Sequence, residues 1–425
     1  MSENQETIYY NPLYFDNAAT TKPLNSVVCA VNDAMKELWH NPSSLYSPAK
    51  RVRERLNQAY EIMAESINAY KDEIFFTSGG SESNNWVIQG FINKCHYDGF
   101  TPVIVTTNIE HNSIRMLIER IKNKPITDCY IYTAPVNNNG FVKRDEFARL
   151  LSMIKAEQKR DNTRILVSMQ FANNEIGVVQ SIQDLSLIAH RYGAIFHTDA
   201  VQAYGQVDID VQKLGIDMMS VSGHKIGATK GIGFLYIKNE VQQYIEPLIY
   251  GTQNNGMRGG TENIPAIIGM MVAVQQMQRE LPLYIDKDFN YQVAQKRIKI
   301  LEDKGIKFKV NGNKYWRLPN NLNITLDYNL TGEALIYMLD TDNIYISSGS
   351  ACDSHSNQPS FVLKTIGLTD SEAMRTIRIT FPKTATLEDV NEFADKLLNA
   401  IQLLDSESIN NAIDVLNKGG DENGV

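Results

Sequence analysis

No run of about eighteen apolar residues occurs in this 425-residue chain, and no basic stretch followed by an apolar one opens it. Neither a membrane-spanning helix nor a secretory leader is therefore expected, and the reading is a cytoplasmic protein. Basic residues are outnumbered. The 41 Lys and Arg against 49 Asp and Glu leave a formal charge of −8, which argues against a nonspecific nucleic-acid binder, a local basic patch aside. Cysteine is scarce: Cys29, Cys95, Cys129 and Cys352 lie far apart and form no C-x-x-C pair, so no zinc site is suggested. Reduced thiols are the default for that compartment. What remains is ordinary for a globular protein, with 43% hydrophobic and 21% charged residues, and the length suits a large core and two domains.

The chemistry concentrates in MMSVSGHKIGATKGIGFLYI, Met218 to Ile237. Apolar runs at both ends flank a small, turn-forming middle, which predicts strand, tight turn, strand. Lys225 sits in the turn beside a histidine and between glycines, whose bare backbone lets a flat cofactor approach. It reads as a Schiff-base lysine for pyridoxal phosphate. Taken alone it reads more readily as an exposed turn lysine. Upstream, GAIFHTDAVQAYG places Asp199 just past a short buried strand, where ligands collect in open α/β sheets. A carboxylate there suits the pyridine nitrogen. Its other reading is a helix N-cap.

Those two motifs, HTDAVQAYG and SVSGHKIGATKGIG, resemble the class V aminotransferase-like family and within it the cysteine desulfurases. The resemblance runs from FDNAATT near the start to the last third of the chain, with the motifs in family order. It implies the pyridoxal-phosphate transferase fold of type I: an α/β protein whose large domain, 15–262, holds a mainly parallel seven-stranded sheet. A smaller α+β domain, 1–14 and 263–425, then carries a mobile loop near 347–360. It also implies pyridoxal 5'-phosphate as cofactor and a homodimer with shared sites.

Further site residues follow along the chain. Ile74 to Thr77 reads as a strand, Gly79 to Ser81 as a turn and Glu82 onward as a helix. Free amides and the helix dipole make that turn an anion site, assigned to the cofactor phosphate with Gly80 and Ser81 nearest. His111 follows the strand Val103 to Thr107; read alone it is a helix-start residue, while the resemblance implies stacking on the pyridine ring and proton transfer. Asn174, in FANNEIGVVQ, would contact the ring oxygen or the substrate carboxylate, or form an Asx turn. The resemblance adds Gln202 to the ring oxygen, Ser222 and His224 to the phosphate, and Thr261, in GMRGGTENIPA, to the partner's phosphate. Tyr46 stands where the family usually has histidine and is assigned no role.

Two features point to the reaction. SSGSACDSHSNQPS, Ser347 to Ser360, is a polar, glycine- and serine-rich loop carrying Cys352, out of place for a cysteine unless its thiol works, although a tolerated surface thiol remains open. RTIRIT, Arg375 to Thr380, reads as an alternating strand; if both isoleucines face one side, Arg378 faces the other and suits an amino-acid carboxylate, with Arg375 its rival. Phe381 and Pro382 depart from the family pattern after it. With the resemblance, the expected activity is removal of sulfur from L-cysteine to give L-alanine and a persulfide on Cys352. The loop pattern SSGSAC with PSFVLKTIG behind it resembles the desulfurases that pass sulfur to an iron-sulfur scaffold or an RNA-thiolating enzyme, and no direct nucleic-acid or membrane contact is expected. A selenocysteine or cysteine-sulfinate lyase, another reaction on the same fold, and a sulfur-relay scaffold without turnover stay open.

Overall fold

A computed structural model describes residues 12–123, 128–157, 162–283, 287–348 and 359–419. Twelve strands are found among them. β1 is Leu13–Tyr14, β2 Ile74–Thr77, β3 Thr101–Thr107, β4 Tyr130–Ala134, β5 Thr163–Gln170 and β6 Ile195–Asp199. β7 is Met218–Ser222, β8 Gly233–Ile237, β9 Phe308–Val310, β10 Asn321–Leu326, β11 Ile344–Tyr345 and β12 Thr376–Thr380.

Seven of them form one sheet in the order β2-β8-β7-β6-β5-β3-β4. Only β8 runs against its neighbours, pairing antiparallel with β2 and β7. The reason is local: the turn that follows β7 reverses the chain without a crossover helix. The inner strands of the sheet are buried along most of their length because both faces are covered. Val103, Val105, Val167, Met219 and Phe234 join one buried cluster, and Ile104, Leu166, Met218 and Leu235 the opposite one. The first cluster also takes in the helix Ile264–Glu280, whose buried residues pack with helices Asn25–Glu37 and Ser47–Glu65. A Cβ on Gly269 would lie 2.6 Å from Val31 Cγ2, so glycine lets the helices Ile264–Glu280 and Asn25–Glu37 lie close.

A second unit is built on the antiparallel sheet β12-β10-β9. Its core gathers Ile298, Leu301, Ile324, Leu335, Ile377, Ile379, Phe393 and Leu397 from strands and helices of the last third. Phe15, from the start of the chain, belongs to the same cluster and packs 4.8 Å from Phe381 by ring centroids. Phe381 is thus a core residue at the end of β12, with the Arg297 guanidinium 4.3 Å over its ring. β1 pairs with β11, and Asp16 bridges Thr380, so the opening segment is sewn into this unit. Among the described residues, no helix is long and apolar enough to cross a membrane.

Candidate active site

β2, β3, β5, β6 and β7 all point the same way, so their carboxyl ends share one edge. The loops leaving that edge carry Gly79 to Ser81, Glu110 and His111, Asn174, Asp199 to Gln202, and Ser222 to Lys225. Residues scattered from Gly79 to Lys225 meet there for a topological reason.

After β2 the chain turns at Gly79, φ 148°, a backbone that side chains other than glycine rarely adopt. The helix Gly80–Tyr97 starts at once, two residues ahead of the sequence expectation, and among the described residues no side chain caps its first amides. A Cβ on Gly80 would reach 2.4 Å from Val201 Cγ2, and one on Gly79 would meet Ser222 Oγ at 3.5 Å. This open cradle at a helix start, with Ser81 exposed and Ser222 buried beside it, fits a phosphate group.

Asp199 closes β6 and is buried. Its Oδ1 accepts from the Val201 amide at 3.0 Å and its Oδ2 from Asn84 Nδ2 at 2.8 Å. The same Asn84 amide donates to Ser113 Oγ at 2.9 Å, which lies 2.8 Å from His111 Nδ1. The Ser113 backbone N–H also donates to that nitrogen, at 3.1 Å, so His111 caps the helix Asn112–Lys122. An accepting Nδ1 leaves the ring proton of neutral His111 on Nε2. Asn84 therefore couples Asp199 to His111. Sequence reading missed it, although a buried asparagine on the sheet-facing side of a helix is the kind of signal that marks such a tether.

Lys225 lies in the turn after β7, and its Nζ donates to the carbonyls of Ala18 and Ala19 at 2.5 and 2.8 Å. Gln202 Nε2 donates to the same Ala18 oxygen at 2.9 Å. His224 Nδ1 is 3.0 Å from Thr20 Oγ1, and burial with the neighbouring Lys225 charge pulls His224 down to about 4, so it is neutral near pH 7. The Asn17-to-Thr21 turn thus forms a wall against which Lys225, Gln202 and His224 are held.

Arg378 projects from β12 into the same region. Its Nη2 donates to Asp16 Oδ1 at 2.7 Å and its Nη1 to the Asn174 carbonyl at 3.2 Å. Asn174 Oδ1 accepts from Gln170 Nε2. Arg375 instead bonds the carbonyls of Ser371 and Tyr328, away from these residues. Thr261 is exposed, and Tyr46, at the N-cap of the helix Ser47–Glu65, makes no side-chain cap hydrogen bond among the described residues. Cys352 and most of its loop lie outside the described residues; Ser360, the loop's last residue, donates to Glu175.

Glu110, beside His111, was also missed. Its carboxyl is buried, and both donors, Thr107 Oγ1 and the Gln170 backbone amide, reach Oε1 while Oε2 has none among the described residues. Burial, with a smaller push from the Asp199 charge, raises it from 4.5 to about 8. The acid form is favoured by the fold, so its stabilisation is complete below pH 4.5 and is lost as pH climbs to about 8. Thermal melts of wild type should fall across that window, and Glu110→Gln should flatten the decline; an identical slope in the variant would clear Glu110 of responsibility.

The model of the class V aminotransferase family matches residues 13–393. A cysteine desulfurase IscS of Methanosarcina thermophila is 37% identical over 395 residues, covering 92% of both chains. A solved NifS-like protein superposes with a TM-score of 0.81 at 29% identity, covering 92% of this chain and all of that one. A structure titled SspA in complex with cysteine gives 0.72 at 32%, covering 88% and 100%. The chain belongs to the class V aminotransferase family and is an enzyme that uses pyridoxal 5'-phosphate. Within that family it is a cysteine desulfurase of the NifS/IscS-like kind.

Proposed function

We propose that the chain takes sulfur from L-cysteine, releases L-alanine and keeps the sulfur as a persulfide on Cys352. The reading rests above all on one observation: a lysine amine, a buried carboxylate tethered to a histidine, and a buried guanidinium converge on one edge of the sheet. Bound pyridoxal phosphate supplies the electron sink for charge developing at the substrate Cα. Gly80, Ser81, Ser222 and His224 would hold its phosphate, Asp199 a proton on its ring nitrogen, and His111 and Gln202 its ring. Arg378 and Asn174 orient the substrate carboxylate, and Lys225 Nζ takes the α-proton. The Cys352 thiolate attacks the substrate sulfur. The S–S bond forms as the C–S bond breaks and its electron pair goes to Cβ; protonation at Cβ and return of the proton to Cα yield alanine. The thiolate form is favoured near cationic groups, so the loop has to bring Cys352 to them.

The wider setting belongs to the same proposal. Residues 15–262 form the cofactor-binding domain, joined by the helix that follows them, and the rest carries the cysteine loop. The enzyme is a cytoplasmic homodimer whose exposed Thr261 reaches the partner's phosphate, and its persulfide passes to an iron-sulfur scaffold or a tRNA-thiolating enzyme. The test is alanine formation from L-cysteine by the purified holoenzyme, with Asp199→Asn alongside. An amide cannot hold the ring proton, so turnover should fall by about 10²-fold or more while cofactor stays bound. No alanine from wild type would end the desulfurase reading; full activity in the variant would remove Asp199 from its role.

A further inference from the structure

The Arg378 side chain is 1% exposed, on a strand between two fully buried isoleucines, while the carboxylate facing it, Asp16, is 17% exposed. A guanidinium so deeply placed needs a counter-charge, since burying one unpaired is costly. Asp16 supplies that charge with a single oxygen, on Nη2. The adjacent Nε–H is buried and has no partner among the described residues. Nε–H and the neighbouring Nη2–H make up one two-pronged edge of the guanidinium, the geometry that a carboxylate fills with both oxygens. In this structure one prong is taken and the other is unspent.

We propose that Asp16 is a resident carboxylate on the substrate clamp. It neutralises Arg378 between turnovers. The incoming amino acid displaces it by bonding both prongs, and it returns as L-alanine leaves. This rests on the reading of Arg378 as the substrate's carboxylate site. Asp16 is suited to the exchange because its backbone is fixed independently of its side chain. It bridges Thr380, and its carbonyl accepts from the Tyr14 hydroxyl at 3.1 Å. The carboxyl can therefore turn toward its more exposed side while the segment stays in place. Asp16 thus weakens binding of substrate and product alike, raising KM and speeding release.

The test compares wild type, Asp16→Asn and Arg378→Lys as holoenzymes, using inhibition by L-alanine and by L-alaninamide, which lacks the carboxylate. With the competing charge gone, Asp16→Asn should bind L-alanine and L-cysteine about tenfold more tightly. L-alaninamide should be unaffected, and kcat should not rise. Arg378→Lys should weaken L-alanine selectively. If Arg378→Lys leaves L-alanine binding alone, the clamp reading falls and this inference with it. If Arg378→Lys weakens it but Asp16→Asn leaves it unchanged or weaker, the clamp stands and the resident-carboxylate role is wrong. A role confined to tying the opening segment to β12 would lower the melting temperature without separating the two ligands. Should Asp16→Asn fail to fold, Asp16→Ser carries the same expectations.

Discussion

Replacing Lys225 by alanine should abolish alanine production from L-cysteine and remove the visible absorption band that lysine-bound pyridoxal phosphate gives. The substitution deletes the only atom proposed both to hold the cofactor covalently and to take the α-proton, and groups that act as one unit lose most of their effect together. The fold should survive. Lys225 sits in a turn, half-buried, and its amine bonds two backbone carbonyls that face the open site. Phosphate-held cofactor should still copurify in part, because the Gly79–Ser81 cradle and Ser222 are untouched. A variant that turns over at the wild-type rate would refute the assignment of Lys225.

Cys352→Ser should stop alanine formation as thoroughly but leave the cofactor's spectral response to L-cysteine intact. A neutral hydroxyl is a poor acceptor for sulfur, whereas binding of substrate depends on Lys225, Asp199 and Arg378. Mass spectrometry after a cysteine pulse should find the additional sulfur on wild type and not on the variant. The alternatives have distinct outcomes. Cys95 and Cys129 are poor persulfide sites because burial pushes both thiols up to about 12, away from the reactive thiolate. Cys29 is exposed. A persulfide on any of these three, or full activity in the serine variant, would replace the proposed reaction by direct release of sulfur.

Local features were the legible ones. The strand Ile74–Thr77 came from its own apolar run, and the strand–turn–strand around Lys225 from small residues between two apolar segments. Asp199 ends its strand instead of following it: the expected strand stops at Phe196 and the observed one runs on to Asp199, which leaves it on the ligand edge. The helix after Gly79 starts early because glycine at positive φ lets the chain enter it directly. The contacts that finish the site were not legible. Asn84 on Asp199 spans 115 positions and Asp16 on Arg378 spans 362, and no local pattern encodes either. Glu110 likewise looks like an ordinary charged residue until the fold seals it from water. Alternation in RTIRIT separated Arg378 from the two isoleucines, but only the packing of β12 against the opening segment tells it from Arg375.

The stitching of residues 13–17 onto β11 and β12 has a consequence for how the molecule is made. The Ala18 and Ala19 carbonyls that hold Lys225 belong to a segment whose anchors are among the last strands to be synthesised. Such long-range closure is entropically expensive and comes late in folding. The large sheet has its own core and every strand of it is in hand by Ile237, yet its ligand edge stays unfinished until Thr380 has found Phe15. A nascent or truncated chain could therefore be well folded through most of its length and still be unable to seat a substrate, which confines thiol chemistry to completed molecules.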